Sequence, residues 1–396
     1  MPGKHSLLSP SSASRWIACP GSARATQHMS DTAGEAAEEG SLAHTLGEAM
    51  VAVAAKFITN AEYTRILKRC KRHKLYKPIM HDHCSEYATF IMEQFNDLQV
   101  SSGGKAELLL ERRVDLSHWV PEPGNGGTTD VTIVSPIVLV VNDFKYGKGV
   151  EVSAERNKQM MLYALGSLVQ YDWLYPIETV EMNIFQPRLD NYSHYSISVA
   201  DLLTWAEEEL MPAAKLAWEG ATIFSAGDHC RFCKIRTTCI ANKELREKAV
   251  APYNAEPHTL APEQLVELFK QAKGYIDWMN AVKDFMLHAA ETGTQWPGLK
   301  LVRGRANRAY KDEQDVRAEL AKAGYAEDDY LNIKIKGLGD IETLLGKQAF
   351  TELLGPHIVK PKGKATLVEE TDPRTPIDKN EDAIADFEDV DLTIFN

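Results

Sequence analysis

Apolar residues recur along the first hundred positions at the three- and four-residue steps of helices. Gly40, Ala43, His44, Gly47 and Val51 repeat in this way within residues 33–58. A second helical stretch over 61–100 is interrupted near Lys77-Pro78, because the residue before a proline is pushed out of the helical region. The period then shortens to two. "AELLLERRVDL" (106–116), "TTDVTIVS" (128–135) and "IVLVVNDFK" (137–145) read as strands, with "PEPGNGG" (121–127) and "SPI" as the turns between them. "ERNKQMMLYALGSLVQY" (155–171) returns to helical spacing, with Met161, Leu162, Leu165, Leu168 and Val169 as its core stripe. Strands at 180–188 and 194–199 and a helix at 201–220 follow. This order predicts an α/β fold, a mixed central β-sheet flanked by helices on both faces.

Beyond a cysteine-bearing stretch at 221–245, the pattern from about 258 predicts a mostly helical α+β region. In it "LKLVRGRANRAY" reads as a strand or hairpin, and residues 335–355 as two short helices joined by a turn. Three parts are expected: a core over 1–245, an accessory region over 250–365 and an acidic, disordered tail over 367–396. The tail holds ten Asp/Glu against Arg374 and Lys379, so most of the chain's net charge of -12 belongs to it. Such a balance argues against a protein that coats nucleic acid nonspecifically. One segment runs the other way. "RILKRCKRHKLYK" (65–77) carries Arg65, Lys68, Arg69, Lys71, Arg72, Lys74 and Lys77, which is either a solvated helix face or a phosphate-contacting surface. No apolar run approaches the roughly 20 residues that span a bilayer, and no signal peptide opens the chain, so the expected compartment is the cytoplasm, without a membrane partner.

The third strand carries the chemistry. A run as apolar as "IVLVV" closes on Asp143, Phe144 and Lys145. An acid and an ammonium two residues apart on a strand share a face, and burying them without a function would be costly. Asp130 lies on the preceding strand, and neighbouring strands run roughly 4.8 Å apart. In aligned register, Asp130, Asp143 and Lys145 project into one small volume. Two carboxylates that close repel unless a divalent cation lies between them, and hard oxygen ligands suit Mg²⁺ or Mn²⁺. With Lys145 to orient a water or neutralise developing charge, the set suits phosphodiester hydrolysis. A pair of surface acids at strand ends is the plain structural alternative.

Asp, a strand, then Asp-x-Lys resembles the core pattern of the PD-(D/E)xK nucleases, whose core is restriction-endonuclease-like. Three further features resemble the RecB-like members of that superfamily. Gly40-x-x-x-His44 matches a motif that supplies a metal-ligating histidine, and Gln159-x-x-x-Tyr163 one that borders the active site and helps position DNA. Glu111 stands where acids vary among related nucleases, as a second-metal or substrate-side ligand. The resemblance thus implies a metal set of His44, Asp130, Asp143 and the Phe144 carbonyl, with Glu111 beside it, and a catalytic set of Asp130, Asp143, Lys145, Gln159 and Tyr163.

Of six cysteines, Cys230-x-x-Cys233-x5-Cys239 lies after this core and Cys19 before it. One cysteine before and three after is similar to the iron–sulfur RecB-like nucleases, among them CRISPR-associated exonucleases and the nuclease domain of bacterial AddB helicase subunits. The implied cofactor is a [4Fe–4S] cluster, with Zn²⁺ on the same four thiolates as its rival. Cys70 and Cys84 stay outside the site. "SPSSASRWIACPGS", "GTQWPGLKLVRGRANRAY" and "LLGKQAFTELLG" together also resemble, over nearly the full chain, a phage and prophage family of unknown function. The expected function is therefore a metal-dependent deoxyribonuclease, an exonuclease resecting DNA ends in phage recombination. Its partners would be DNA ends or single strands and a phage strand-annealing or single-stranded-DNA-binding protein, met through the acidic tail. The alternatives are a catalytically inactive DNA-binding or packaging accessory protein, and a zinc-stapled structural phage protein.

Overall fold

The computed structural model describes residues 6–29, 34–250, 261–302, 312–323, 327, 331 and 335–359. The tail, residues 251–260 and most of the expected hairpin, 303–310, lie outside these. Residues 299–302, which begin that expected hairpin, form no strand.

Five strands make one mixed sheet in the order β1-β2-β3-β4-β5: β1 (Glu107–Asp115), β2 (Gly126–Val134), β3 (Val138–Phe144), β4 (Thr179–Gln186) and β5 (Asn191–Ser198). All neighbours are antiparallel except β3 and β4. A parallel pair needs a crossover, and helix α6 (Lys158–Tyr171) supplies it. The expected α/β sheet flanked by helices is thus present.

The pleat divides the core in two. Toward α6 point Leu139 and Val141, packed with Trp16 of α1 (Ala13–Ala18), Trp205 of α7 (Val199–Trp205) and Ala214 of α8 (Met211–Glu219). Toward the other face point Val140 and Phe144, packed with Leu46 of α3 (Glu35–Ala54), Cys70 of α4 (Asn60–Lys71), and Tyr87 and Ile91 of α5 (Pro78–Ser101). Helix α6 is buried from Met160 to Leu168, wedged between sheet and helices, while Val169 is exposed and does not belong to the core stripe. The stripe expected for a one-sided helix understated a two-sided one.

Local chemistry sets the boundaries. Asn157 caps α6 by accepting from the Gln159 and Met160 amides. Thr59 and Glu62 form a capping box at α4, and Pro78 starts α5 where its missing N–H costs nothing. A half-buried ion pair, Arg188 to Glu39 at 2.7 Å, fixes α3 against the end of β4. Beyond the sheet lie α9 (Ile240–Val250), α10 (Pro262–Glu291) and the helices Leu338–Leu345 and Lys347–Leu354. These last two match the two short helices read from the pattern. They dock on α5 through Lys347, whose amide donates to Asp82 and whose ammonium meets Glu86 at 2.7 Å.

Candidate metal centre and cysteine cluster

The sheet is irregular at one place, and the candidate site lies there. The β1–β2 ladder pairs Leu110 with Val131 and Arg112 with Thr129 but skips Glu111 and Asp130 between them. Glu111 has φ 46°, a left-handed backbone that a non-glycine residue adopts at a cost. Both strands change face at that step. Leu108 packs toward α3 and α5, whereas Val114, of the same parity, packs toward α6. On β2, Val131 faces α5, while Gly127 lies against Tyr163 of α6, so closely that a Cβ there would sit 2.7 Å from the ring. The acids at the switch are freed from the regular alternation.

Helix α3 reaches the same point. His44 Nδ1 lies 3.3 Å from Asp130 Oδ1, and ligand atoms of His44, Glu111 and Asp130 all fall within 4.8 Å of one another. The other Asp130 oxygen accepts the Phe144 amide at 2.8 Å. The β2–β3 ladder stops at Val131 and Asn142, one step short of Asp130 and Asp143. That amide therefore joins the end of β3 to β2 through a side chain. Phe144 itself packs between the His44 ring at 5.6 Å and the Tyr87 ring at 4.6 Å.

On the α6 side, Asp143 is buried with Lys145 Nζ 2.9 Å from its Oδ2. Lys145 also donates to Oδ1 at 3.2 Å, so the ammonium faces both carboxylate oxygens. Gln159 completes the group: its amide oxygen accepts from Lys145 at 3.3 Å, and its NH₂ lies 3.4 Å from Asp143 and 3.3 Å from the Tyr163 hydroxyl. All the acid, lysine, histidine, glutamine and tyrosine positions picked from the pattern therefore lie around the place where the β2–β3 ladder stops.

Electrostatics join the two halves. Burial draws Lys145 down, but the charge and hydrogen bond of Asp143, with the charge of Asp130, together raise the ammonium above its ordinary value. Burial pushes the Asp143 carboxyl up, opposed by Lys145. Burial, then the charges of Asp130 and Glu48, push Glu111 up to about 7. For His44, burial is overcome by the hydrogen bond and charge of Asp130, which raise it. Crowded carboxylates beside one ammonium are the surroundings a divalent cation relieves.

Two residues escaped the sequence pattern. Glu48 follows His44 by four on α3, one turn along the same face, and its carboxyl is raised by burial and then by Asp130. "HTLGE" held that spacing in plain view. Tyr87 is buried with its hydroxyl unpartnered, under the influence of Asp130, Asp143 and Glu111; nothing in its local sequence pointed to the site.

The cysteines approach each other from both ends of the core. Cys19 caps α1, and its sulfur accepts the Ser225 amide at 3.4 Å. Cys230 sits on the turn Asp228–Phe232, and the Cys233 amide donates back to its carbonyl at 3.1 Å. Cys239 stands just before α9. His229 hydrogen-bonds both Cys19 and Cys230, which pushes its imidazole up to about 10. Burial raises both of those thiols, yet the His229 hydrogen bond, backbone hydrogen bonds and the His229 charge together leave each lowered, toward the thiolate a metal needs. Three of the four are buried. This donor set fits a thiolate-held group. Among the described residues, however, the sulfurs are not drawn to the spacing found at His44, Glu111 and Asp130.

The basic segment is helical only to Lys71. All seven of its Lys/Arg side chains are exposed, and Lys74 pairs with Glu38 at 3.2 Å. Glu38 precedes His44 by six residues, about 9 Å along α3.

Residues 5–375 match the family described as "Protein of unknown function (DUF2800)". The chain belongs to that family. Among solved structures it is similar to one titled "Crystal structure of SSO0001", at 17% identity, covering 51% of this chain and 85% of that one, with a TM-score of 0.21. A score that low carries no argument about the fold. Among the described residues, no helix is long and apolar enough to cross a membrane.

Proposed function

We propose that this chain is a metal-dependent deoxyribonuclease of the RecB-like PD-(D/E)xK type, hydrolysing phosphodiesters at DNA ends or in single strands. One observation carries the reading: the His44, Glu111 and Asp130 ligand group adjoins the buried Asp143–Lys145 pair where the β2–β3 ladder stops. Neither half would suffice alone. A carboxylate–imidazole group without a lysine is a plain cation site, and a buried Asp–Lys pair without ligands is structural.

His44, Asp130 and Asp143, with the Phe144 carbonyl and Glu111, would hold Mg²⁺ or Mn²⁺, which supplies a polarised phosphate oxygen and an acidified water. Lys145 is a fixed ammonium, held by Asp143 and Gln159, that neutralises charge gathering on the phosphate or orients the water. Gln159 keeps that ammonium in place and ties it to Tyr163. Tyr163, on its glycine seat, forms the wall of the site on the α6 side. The exposed basic segment beyond Glu38 supplies a path for the DNA backbone. Cys19, Cys230, Cys233 and Cys239 would hold a [4Fe–4S] cluster, or zinc as its rival, joining the chain before the core to the chain after it. A phage strand-annealing or single-stranded-DNA-binding protein is the partner class such resection would serve.

The test is cleavage of end-labelled linear, circular and single-stranded DNA with Mg²⁺ or Mn²⁺. Loss of cleavage in Asp143→Asn, with folding retained, is the expected result. Cleavage unchanged in that variant, or none by the metal-loaded wild type, would refute the reading.

A further inference from the structure

Two cationic side chains stand against the cysteine group. His229 Nε2 lies 2.8 Å from the Ser225 carbonyl, which can only accept, so that nitrogen carries a proton. The other ring nitrogen is left for the sulfurs of Cys19 and Cys230, to which the side chain hydrogen-bonds. A ring that donates from both nitrogens is an imidazolium. From α1, Arg15 hydrogen-bonds the sulfur of Cys233. Its Nη1 donates to the Thr26 hydroxyl at 2.7 Å, which fixes the guanidinium. Among the described residues, neither side chain forms an ion pair with a carboxylate, so the sulfurs are what these cations face.

The backbone holds both of them in place. Ser225 accepts from His229 and donates its own amide to Cys19 at 3.4 Å, so one residue ties the ring to the sulfur. Gly227 leaves the ring its seat: a Cβ there would stand 3.1 Å from Cε1 and 3.2 Å from Nδ1. The Arg15 carbonyl accepts the Cys19 amide at 2.8 Å, so the residue that touches Cys233 also positions Cys19. The amides of Gly227 and Ile235 hydrogen-bond Cys230 and Cys233. Cys19, Cys230 and Cys233, all buried, thus meet charged donors as well as amides.

Closing the fold asks only for four thiolates. Cations on the sulfurs do something more. Reduction of a thiolate-held cluster adds negative charge that spreads onto its sulfurs, and hydrogen bonds and net charge there set the potential. We propose that His229 and Arg15 are positioning residues that raise the reduction potential of the cysteine-held cluster, poising it for one-electron reduction. The proposal rests on the iron–sulfur reading given above. The electron comes from a low-potential one-electron donor. No bond breaks and no proton moves: His229 and Arg15 keep their protons and donate more strongly to sulfurs that have gained charge.

The full chain, reconstituted anaerobically with ferrous iron and sulfide, is titrated with dithionite, and the midpoint potential is read from visible absorbance. Bound iron and sulfide are assayed alongside, since a merely structural role would change their content and leave the potential alone. His229→Leu should disfavour the reduced form about tenfold, the order expected for a lost hydrogen bond to a charged group. For a one-electron couple that lowers the potential by about 59 mV. Arg15→Leu, which frees one sulfur rather than two, should shift it the same way by less. His229→Gln and Arg15→Lys keep a donor and should fall between, and they decide the matter where a Leu variant holds no cluster. Potentials equal to wild type in variants with full iron and sulfide would overturn the proposal and leave the cluster reading standing. A wild-type chain that takes up zinc but no iron and sulfide would overturn both.

Discussion

Lys145→Met takes away the cation 2.9 Å from a carboxylate that is only 5% exposed, and leaves it in the core. Breaking a buried pair from one side costs about 3–5 kcal/mol. Proton uptake sets a ceiling. Neutralising an aspartate of ordinary pKa, about 3.9, at pH 7 costs about 1.36 kcal/mol per unit, or about 4 kcal/mol in all. The variant should therefore lose about 3–4 kcal/mol of stability at pH 7 in chelator. Burial, which already pushes Asp143 up, then acts without the opposing ammonium, so its folded-state pKa rises above the unfolded value. The folded form retains a proton that the unfolded form releases. The loss is accordingly greatest at high pH, shrinks by up to about 1.4 kcal/mol per unit as pH falls through the raised value, and vanishes below about pH 4. Urea unfolding followed by circular dichroism between about pH 5 and pH 8 measures this directly. Lys145→Met combined with Asp143→Asn should recover most of the loss, since no charge is then left buried. A loss under about 1 kcal/mol at pH 7, or one that ignores pH, would refute the account of this pair.

Further outcomes are expected from neighbouring groups. Glu48→Gln should weaken Mn²⁺ affinity severalfold while the far-ultraviolet spectrum stays unchanged; calorimetric titration giving the wild-type affinity would remove Glu48 from the site. Cys233→Ala should reduce soluble yield and thiolate-bound metal together, read by metal analysis and by visible absorbance, and a soluble variant with full metal content would show that this thiolate is dispensable. Replacing Lys68, Arg69, Lys71 and Arg72 by Gln should weaken DNA binding and flatten its salt dependence by about 1 in slope for each phosphate no longer neutralised; an unchanged slope would return that segment to an ordinary solvated face. Thr59→Ala, which removes the α4 cap, should cost about 1 kcal/mol of stability without changing cation affinity.

Much was legible in one dimension. Alternation and helical spacing are local, so strands β1 to β5, helices α3 to α6 and the polar ends of β3 could be read from residue order. "NDFK" stood out because an apolar lead-in ending in a charged pair has few structural uses. Other features depend on which faces the chain turns inward, and that is decided by contacts between distant segments. Val169 continues an apolar stripe yet is exposed. Glu111 could be named only as a variable acid. It joins His44 and Asp130 because two strands skip one pair and swap faces together, an event no single strand's pattern records. Glu48 had the right spacing all along, but only the packing of α3 over that skipped pair shows that its face is the one that matters. Residue order thus determined the elements and the side chains each of them carries. Tertiary structure decided which charges meet, because charges act through space and burial, and both are properties of the packed chain.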